Sequence, residues 1–199
     1  MNKDRPPPGA AKPSWLSGIT KWLTRAPASQ EQLLESLHDG QKNGLIDADA
    51  LAMIEGVLQV DDMQVRDVMI PRTQVVMLER EASREVLIRT IVESGHSRFP
   101  VIGDSRDEVV GVLLAKDLLL YVFERSDDSL NVRDILRPAI FVPESKRLNV
   151  LLKEFRSSRN HMAIVVDEYG GVAGMVTIED VLEQIVGEIE DEHDVEEED

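Results

Sequence analysis

The sequence predicts an α+β fold: two tandem βαββα modules packed as a pseudo-symmetric pair and preceded by a short helical arm. One observation behind this is a strand-to-helix corner that occurs twice. Gly174-Met175-Val176-Thr177-Ile178-Glu179-Asp180 runs from a buried strand end into an apolar helix, and Gly111-Val112-Leu113-Leu114-Ala115-Lys116-Asp117 repeats its spacing 63 positions earlier. The likeness also extends outward. Arg98 to Ile102 lies 63 positions before His161 to Val165, and Val65-Arg66-Asp67-Val68-Met69-Ile70-Pro71 lies 67 positions before Val132-Arg133-Asp134-Ile135-Leu136-Arg137-Pro138. Self-similarity of this kind marks a duplicated unit. The third observation is periodicity: helical stripes and short apolar runs follow one another in the same order in both copies.

Taken in order, residues 1–28 are an arm. Pro6-Pro7-Pro8-Gly9 and Pro13 predict a disordered start, while Trp15, Leu16, Ile19, Trp22 and Leu23 share a helical face beside Lys21 and Arg25. That face suits either peripheral contact with an anionic membrane or packing on the protein itself. Residues 29–64 form the helical arm proper. Ser29 opens a helix carrying Leu33, Leu34 and Leu37, interrupted near Gly40 and Gly44, and a second follows Asp47 with Leu51, Ile54, Val57 and Leu58. Such a hairpin buries too little to stand alone, so it is expected to dock on the repeats.

In module 1, residues 65–127, Val75 to Leu78 read as a strand and Val86, Leu87, Thr90 and Ile91 as the buried face of a helix capped by Ser83. Strands at Phe99 to Ile102 and Val109 to Leu113 flank a turn through Gly103-Asp104-Ser105, and a helix runs from Asp117 to Phe123. Module 2, residues 128–187, repeats this order. It has a strand at Ile140 to Val142, a helix with Leu148, Leu151, Leu152 and Phe155, strands at Met162 to Val166 and Val172 to Val176 around Tyr169-Gly170-Gly171, and a helix from Ile178 to Val186. Neither unit covers both faces of its own sheet, so the two are expected to bury those faces together. Residues 188–199 are an acidic tail. It is expected to be a solvated run, with weak collection of Mg²⁺ on carboxylate oxygens as the alternative.

Composition bounds the function. At 199 residues and 42% hydrophobic content the chain can bury a core. No apolar run approaches a membrane span and no signal peptide is visible, which predicts a cytoplasmic protein, at most peripheral to the inner membrane. With no Cys, disulfide and thiol chemistry are excluded. The net charge of −16 argues against a nucleic-acid partner, because that partner needs a basic footprint. Basic residues do gather in the first 28 positions, where five stand against one Asp, while nine acids occupy the last twelve.

The corner carries the chemistry. A ribose presents two neighbouring hydroxyls, and an ionised carboxylate at a helix start can accept from both. Asp180 is that candidate, with phosphates lying near the helix N-terminus and its backbone N–H groups. Thr177 and Asp180 would serve equally as an ordinary helix cap.

The strings Val68-Met69-Ile70-Pro71-Arg72, Gly95-His96-Ser97-Arg98-Phe99-Pro100-Val101, Asn160-His161-Met162-Ala163-Ile164-Val165-Val166-Asp167-Glu168-Tyr169-Gly170-Gly171 and Val176-Thr177-Ile178-Glu179-Asp180-Val181-Leu182 together resemble a tandem CBS-domain pair of the CorC-type magnesium and cobalt efflux family. The resemblance covers roughly residues 30–194. It implies a regulatory pair that binds an adenine nucleotide, AMP or ATP with Mg²⁺, in a central cleft, forms a homodimer and works with a membrane transporter partner. The family often carries a transmembrane domain before the pair and a small domain after the acidic stretch, so ion passage is expected to belong to a partner or another segment.

Carried across by residue, the resemblance implies that Thr177 and Asp180 hold the ribose, Met69-Ile70-Pro71 and Phe99-Pro100 flank the adenine, and His96 and Arg98 face the phosphates. A second cleft would use Asp117, Arg137 and His161, with His161 in register with Arg98. It is expected to be weaker or empty because Leu114 stands in the Thr slot and removes a hydroxyl. No metal-ligand set is predicted. Enzyme chemistry finds no support either: the chain has no Gly-rich phosphate loop ending in Lys-Ser/Thr, no His-Glu-x-x-His, and no evident nucleophile beside a base. The remaining alternative is a CBS dimerisation scaffold for a membrane partner that binds no ligand.

Overall fold

The computed structural model describes residues 29–124 and 131–187. The proposed amphipathic arm and acidic tail lie outside the described residues. The chain divides into two compact units at Leu51/Ala52. In the first unit, helix α1 (Gln30–Lys42) is capped by Ser29, whose hydroxyl accepts from the Gln32 N–H at 3.3 Å. It runs through Gly40 and ends at Asn43, before Gly44 at φ 71°. Helix α2 (Ala48–Val60) then starts on Asp47, which accepts from the Ala50 N–H at 2.7 Å, and continues into the second unit.

The second unit holds both modules. Module 1 consists of β2 (Leu78–Glu79), α3 (Arg84–Ser94), β3 (Arg98–Ile102), β4 (Val109–Leu114) and α4 (Ala115–Glu124). Module 2 consists of β5 (Phe141–Pro143), α5 (Leu148–Ser158), β6 (Met162–Val166), β7 (Val172–Thr177) and α6 (Ile178–Val186). In each, the first strand runs parallel and the third antiparallel to the middle one. The first strand of each copy starts later than its apolar run predicts. Val75 is drawn instead into the core between the modules, and the Ile140 carbonyl accepts from the Ile164 N–H at 2.7 Å ahead of β5.

A further strand, β1 (Ile70–Pro71), does not join module 1. It pairs antiparallel with β7, Ile70 opposite Met175 and Pro71 opposite Gly174, giving a sheet ordered β1-β7-β6-β5. Proline is tolerated there because the strand is an edge. The mirror contact joins Arg137 to Val112 of β4, with N–H to O=C bonds of 2.9 Å in both directions. The lead-in segments are thus exchanged. Val65 is buried in the core of module 2 with Val142, Leu148, Val165 and Val176, and Val132 is buried in the core of module 1 with Leu78, Leu87, Phe99 and Leu113.

Both corner glycines owe their presence to this exchange. A Cβ on Gly174 would stand 2.2 Å from the Ile70 carbonyl oxygen, and one on Gly111 would stand 2.9 Å from that of Arg137. Neither has a positive φ, so close backbone approach is the reason for the glycine.

A third cluster joins the modules. Val112 and Leu114 of β4 meet Met162, Ile164, Val172 and Met175 of β6 and β7. Asp107 closes its rim, accepting from the Val172 N–H at 3.0 Å and pairing with Arg72 at 2.8 Å.

The strand pairing corrects the repeat register. Arg98 opposes Leu114, and Met162 opposes Thr177, so Met162 and not His161 is the counterpart of Arg98. The offset is 64 through α3/α5 and β3/β6, and 63 through β4/β7. One residue is lost in the hairpin, where positions 103–108 of the first copy correspond to 167–171 of the second. At the preceding helix end this aligns Gly95 (φ 68°) with Arg159, whose φ of 56° makes it the lone left-handed non-glycine among the described residues. That conformation costs a side-chain-bearing residue about 1 kcal/mol.

Candidate functional site

Thr177 ends β7 and caps α6. Its hydroxyl accepts from the Asp180 N–H at 3.2 Å, while Asp180 Oδ2 accepts from the Thr177 N–H at 2.6 Å. This reciprocal pair satisfies two backbone donors at the helix start and fixes the carboxylate in one orientation. Asp180 is half-buried, and burial pushes its carboxyl above the ordinary range, opposed by the Thr177 hydrogen bonds and reinforced by neighbouring Glu179. Oδ1 makes no hydrogen bond among the described residues.

The exchanged lead-in brings module 1 to this corner. Ile70 pairs with Met175, two residues before Thr177, and packs on the core between the modules. Met69 packs on the core of module 2, and Pro71 is exposed at the strand edge. From β3, Arg98 reaches to 4.0 Å from Glu179, which also lies 3.7 Å from His161 Nδ1.

One expected wall residue falls elsewhere. The Phe99 ring is fully buried in the core of module 1, because one step along a strand moves a side chain to the opposite face and Arg98 takes the face toward module 2. Pro100 shares the strand face of Arg98 and is buried opposite Val112 of the core between the modules. His96 is exposed on the loop before β3, its ring 6.1 Å from that of Phe99, and does not line the groove described next.

Between the modules lies a groove of about 210 Å³, with Arg98, Lys116 and Leu114 from module 1 facing Arg137, Arg159 and His161 from module 2. Its floor includes Met162, the strand partner of Thr177. Arg137 reaches Asp117 with Nε at 3.0 Å and Nη2 at 2.8 Å, both on Oδ2. The structure therefore joins Asp117, Arg137 and His161 of the expected second cleft to Arg98 of the first around one cationic centre. The two corners differ sharply. Asp180 is held by a cap, whereas Asp117 is already committed to an arginine fork and has Leu114 in place of the threonine.

Sequence reasoning overlooked Glu179, Lys116 and Arg159. A signal was present for two of them, since Lys116 and Glu179 occupy the same place in the repeated corner with opposite charge.

The exchanged lead-ins, the shared core and the duplicated corner define a paired module of the CBS class. The family model for the CBS domain matches residues 65–124 and 132–187, and a model described as the N-terminal region of NMB0537 matches residues 25–60. The chain belongs to the CBS-domain proteins of the CorC-type magnesium and cobalt efflux family.

Among its relatives are proteins named magnesium and cobalt efflux protein CorC. The one from Vibrio cholerae is 47% identical over 189 residues, covering 95% of this chain and 65% of the relative. That from Escherichia coli K12 is 53% identical over 171 residues, covering 85% of this chain and 58% of the relative. The chain thus spans roughly six tenths of the length of these relatives. Among solved structures, the CBS domain of the bacterial CNNM/CorC family Mg²⁺ transporter matches with TM-score 0.76 at 44% identity, covering 83% of this chain and all of that one. The same domain in complex with ATP matches with TM-score 0.66 at 48% identity, covering 69% and 97% of the two chains.

Proposed function

We propose that this chain is a regulatory CBS pair that binds an adenine nucleotide, AMP or ATP with its Mg²⁺, at the Asp180 corner and takes part in magnesium and cobalt efflux. The observation that carries this is the meeting of both modules at one corner. A carboxylate fixed at the start of α6 stands beside β1 of the other module's lead-in, with Arg98 reaching across to the adjoining Glu179. Asp180 would accept from the ribose hydroxyls through its remaining lone pairs, and Arg98 would meet the phosphates, exchanging Glu179 for them. The ATP complex of a domain 48% identical to this one supports the ligand class. Binding that differs between two angles of the module pair would shift that angle, and a membrane transporter partner would sense the shift. In this reading the protein regulates and does not catalyse, acts at the cytoplasmic side of the inner membrane, and works as a homodimer.

The rival reading, a scaffold that binds no ligand, takes its support from the cap itself, which gives Thr177 and Asp180 a structural task. Calorimetry with AMP and ATP, with and without Mg²⁺, separates the two. Binding by the wild type, weakened about thirtyfold or more in Asp180→Ala through loss of a charge-assisted hydrogen bond worth about 2 kcal/mol, supports a nucleotide sensor. No heat with any nucleotide leaves the scaffold.

A further inference from the structure

We propose that the Lys116, Arg137 and Arg159 side of the groove is a second site, one that takes a compact phosphoanion and no nucleoside. It rests on assigning the adenosine to the Asp180 corner and adds a different ligand chemistry beside it. The first observation is convergence. These three cations come from α4, from the lead-in to module 2 and from the end of α5, and line one cavity of about 210 Å³ in a protein whose net charge is −16. In so acidic a chain an anion is held only where cations are gathered locally.

The second is the backbone at Arg159. Helix α3 ends on Gly95 in the left-handed region, the residue that adopts it without penalty, but α5 ends on an arginine in the same conformation, and that arginine lines the groove. A basic side chain stands where glycine would fit the helix end better. The third is the charge reversal at the corner, where Lys116 replaces the acid found at Glu179. Among the described residues neither Lys116 nor Arg159 has a carboxylate partner.

This side excludes a ribose. Asp117 is closed by the Arg137 fork, and Leu114 lines the groove where the other corner has a hydroxyl. Arg137 keeps its other N–H donors, and with Lys116 and Arg159 it offers the multiple donors that phosphate oxygens require. The phosphoanion is either free or the tail of a nucleotide held at the Asp180 corner.

Titration calorimetry of sodium pyrophosphate into the full chain tests this. The wild type is expected to bind, and Arg159→Gly and Lys116→Met each to weaken binding about tenfold or more, the effect of losing one charged donor. Arg159→Gly relieves the backbone and so keeps the fold, which thermal melting verifies. Asp180→Ala is expected to leave pyrophosphate affinity within about twofold, since its carboxylate is no donor to phosphate. Competition by ATP but not AMP assigns the anion to the nucleotide tail, and competition by neither assigns it to a free ligand. Absence of pyrophosphate binding in the wild type, equal loss in Asp180→Ala, or competition by AMP overturns the proposal. Should AMP and ATP fail to bind while the pyrophosphate pattern holds, the adenosine assignment falls and the anion site stands.

Discussion

Replacing Gly174 by alanine puts a carbon 2.2 Å from the carbonyl oxygen of Ile70, 3.1 Å from its carbonyl carbon and 3.4 Å from Pro71 Cα. All three obstacles are backbone, so no side-chain rotation relieves them. A carbon and an oxygen in contact need about 3.3 Å, so β1 must withdraw by roughly 1 Å. Overpacking of that size costs about 2 kcal/mol. The retreat also strains the Arg72 N–H to Ala173 C=O bond of 2.9 Å beside it, worth about 1 kcal/mol. The expected loss is therefore about 3 kcal/mol.

Gly111→Ala meets the equivalent strip at 2.9 Å from the Arg137 oxygen and 3.1 Å from the Leu136 Cβ. A shift of a few tenths of an ångström suffices there, and the cost is about 1 kcal/mol. With a urea slope of about 2 kcal/mol/M, the midpoints should fall by roughly 1.5 M and 0.5 M respectively. Equal midpoints for the two variants, or an unchanged midpoint for Gly174→Ala, would refute the claim that these glycines exist to admit the exchanged strips.

Acidity gives a second test. Burial holds the Asp180 carboxyl above its ordinary value of 3.8, so the nucleotide affinity proposed to depend on its carboxylate should decline on acidification sooner than for an exposed aspartate; calorimetry from pH 7.5 down to about 5 measures it. By linkage the raised acid contributes stability that is present below the unfolded value and is lost as pH rises through the folded one. Asp180→Asn keeps an acceptor for the Thr177 N–H and should flatten both dependences. Asp107 behaves oppositely. The Val172 N–H, with help from Arg72, holds its carboxyl below the ordinary range, so its contribution is present above the unfolded value and is lost as pH falls through the folded one. Asp107→Ala should accelerate hydrogen exchange at the Val172 amide and leave the Asp180 amide unchanged.

The parts of the fold that local pattern governs were legible. Ser83 caps a helix as its position predicts, β6 runs over Met162–Val166 and α6 over Ile178–Val186. What the pattern could not reveal was register. Arg98 to Ile102 resembles both His161 to Val165 and Met162 to Val166, because each has apolar residues on both faces, and the single residue lost in the hairpin leaves no gap near the match. The slip has a chemical consequence: it aligns Phe99 with Met162, which packs between the modules, whereas pairing aligns it with Ala163, inside a module core. An aromatic expected beside a ligand therefore lies in the interior.

The site divided in the same way. The pairing of Thr177 with Asp180 was legible because a cap and its spacing are local, whereas the place of Ile70 beside that corner came only from the family resemblance. The contact of Glu179 with Arg98 and His161, by contrast, is set by how two sheets pack, which no short window of sequence contains.

The trading of lead-in segments means that neither half is a separable part. A gene fragment cut between residues 124 and 131 would strip Val132 from the interior of the first half and deprive the second of Val65 and its edge strand. To free the second half alone, an engineer would graft residues 63–71 onto its front, and a circular permutant would have to open the chain elsewhere.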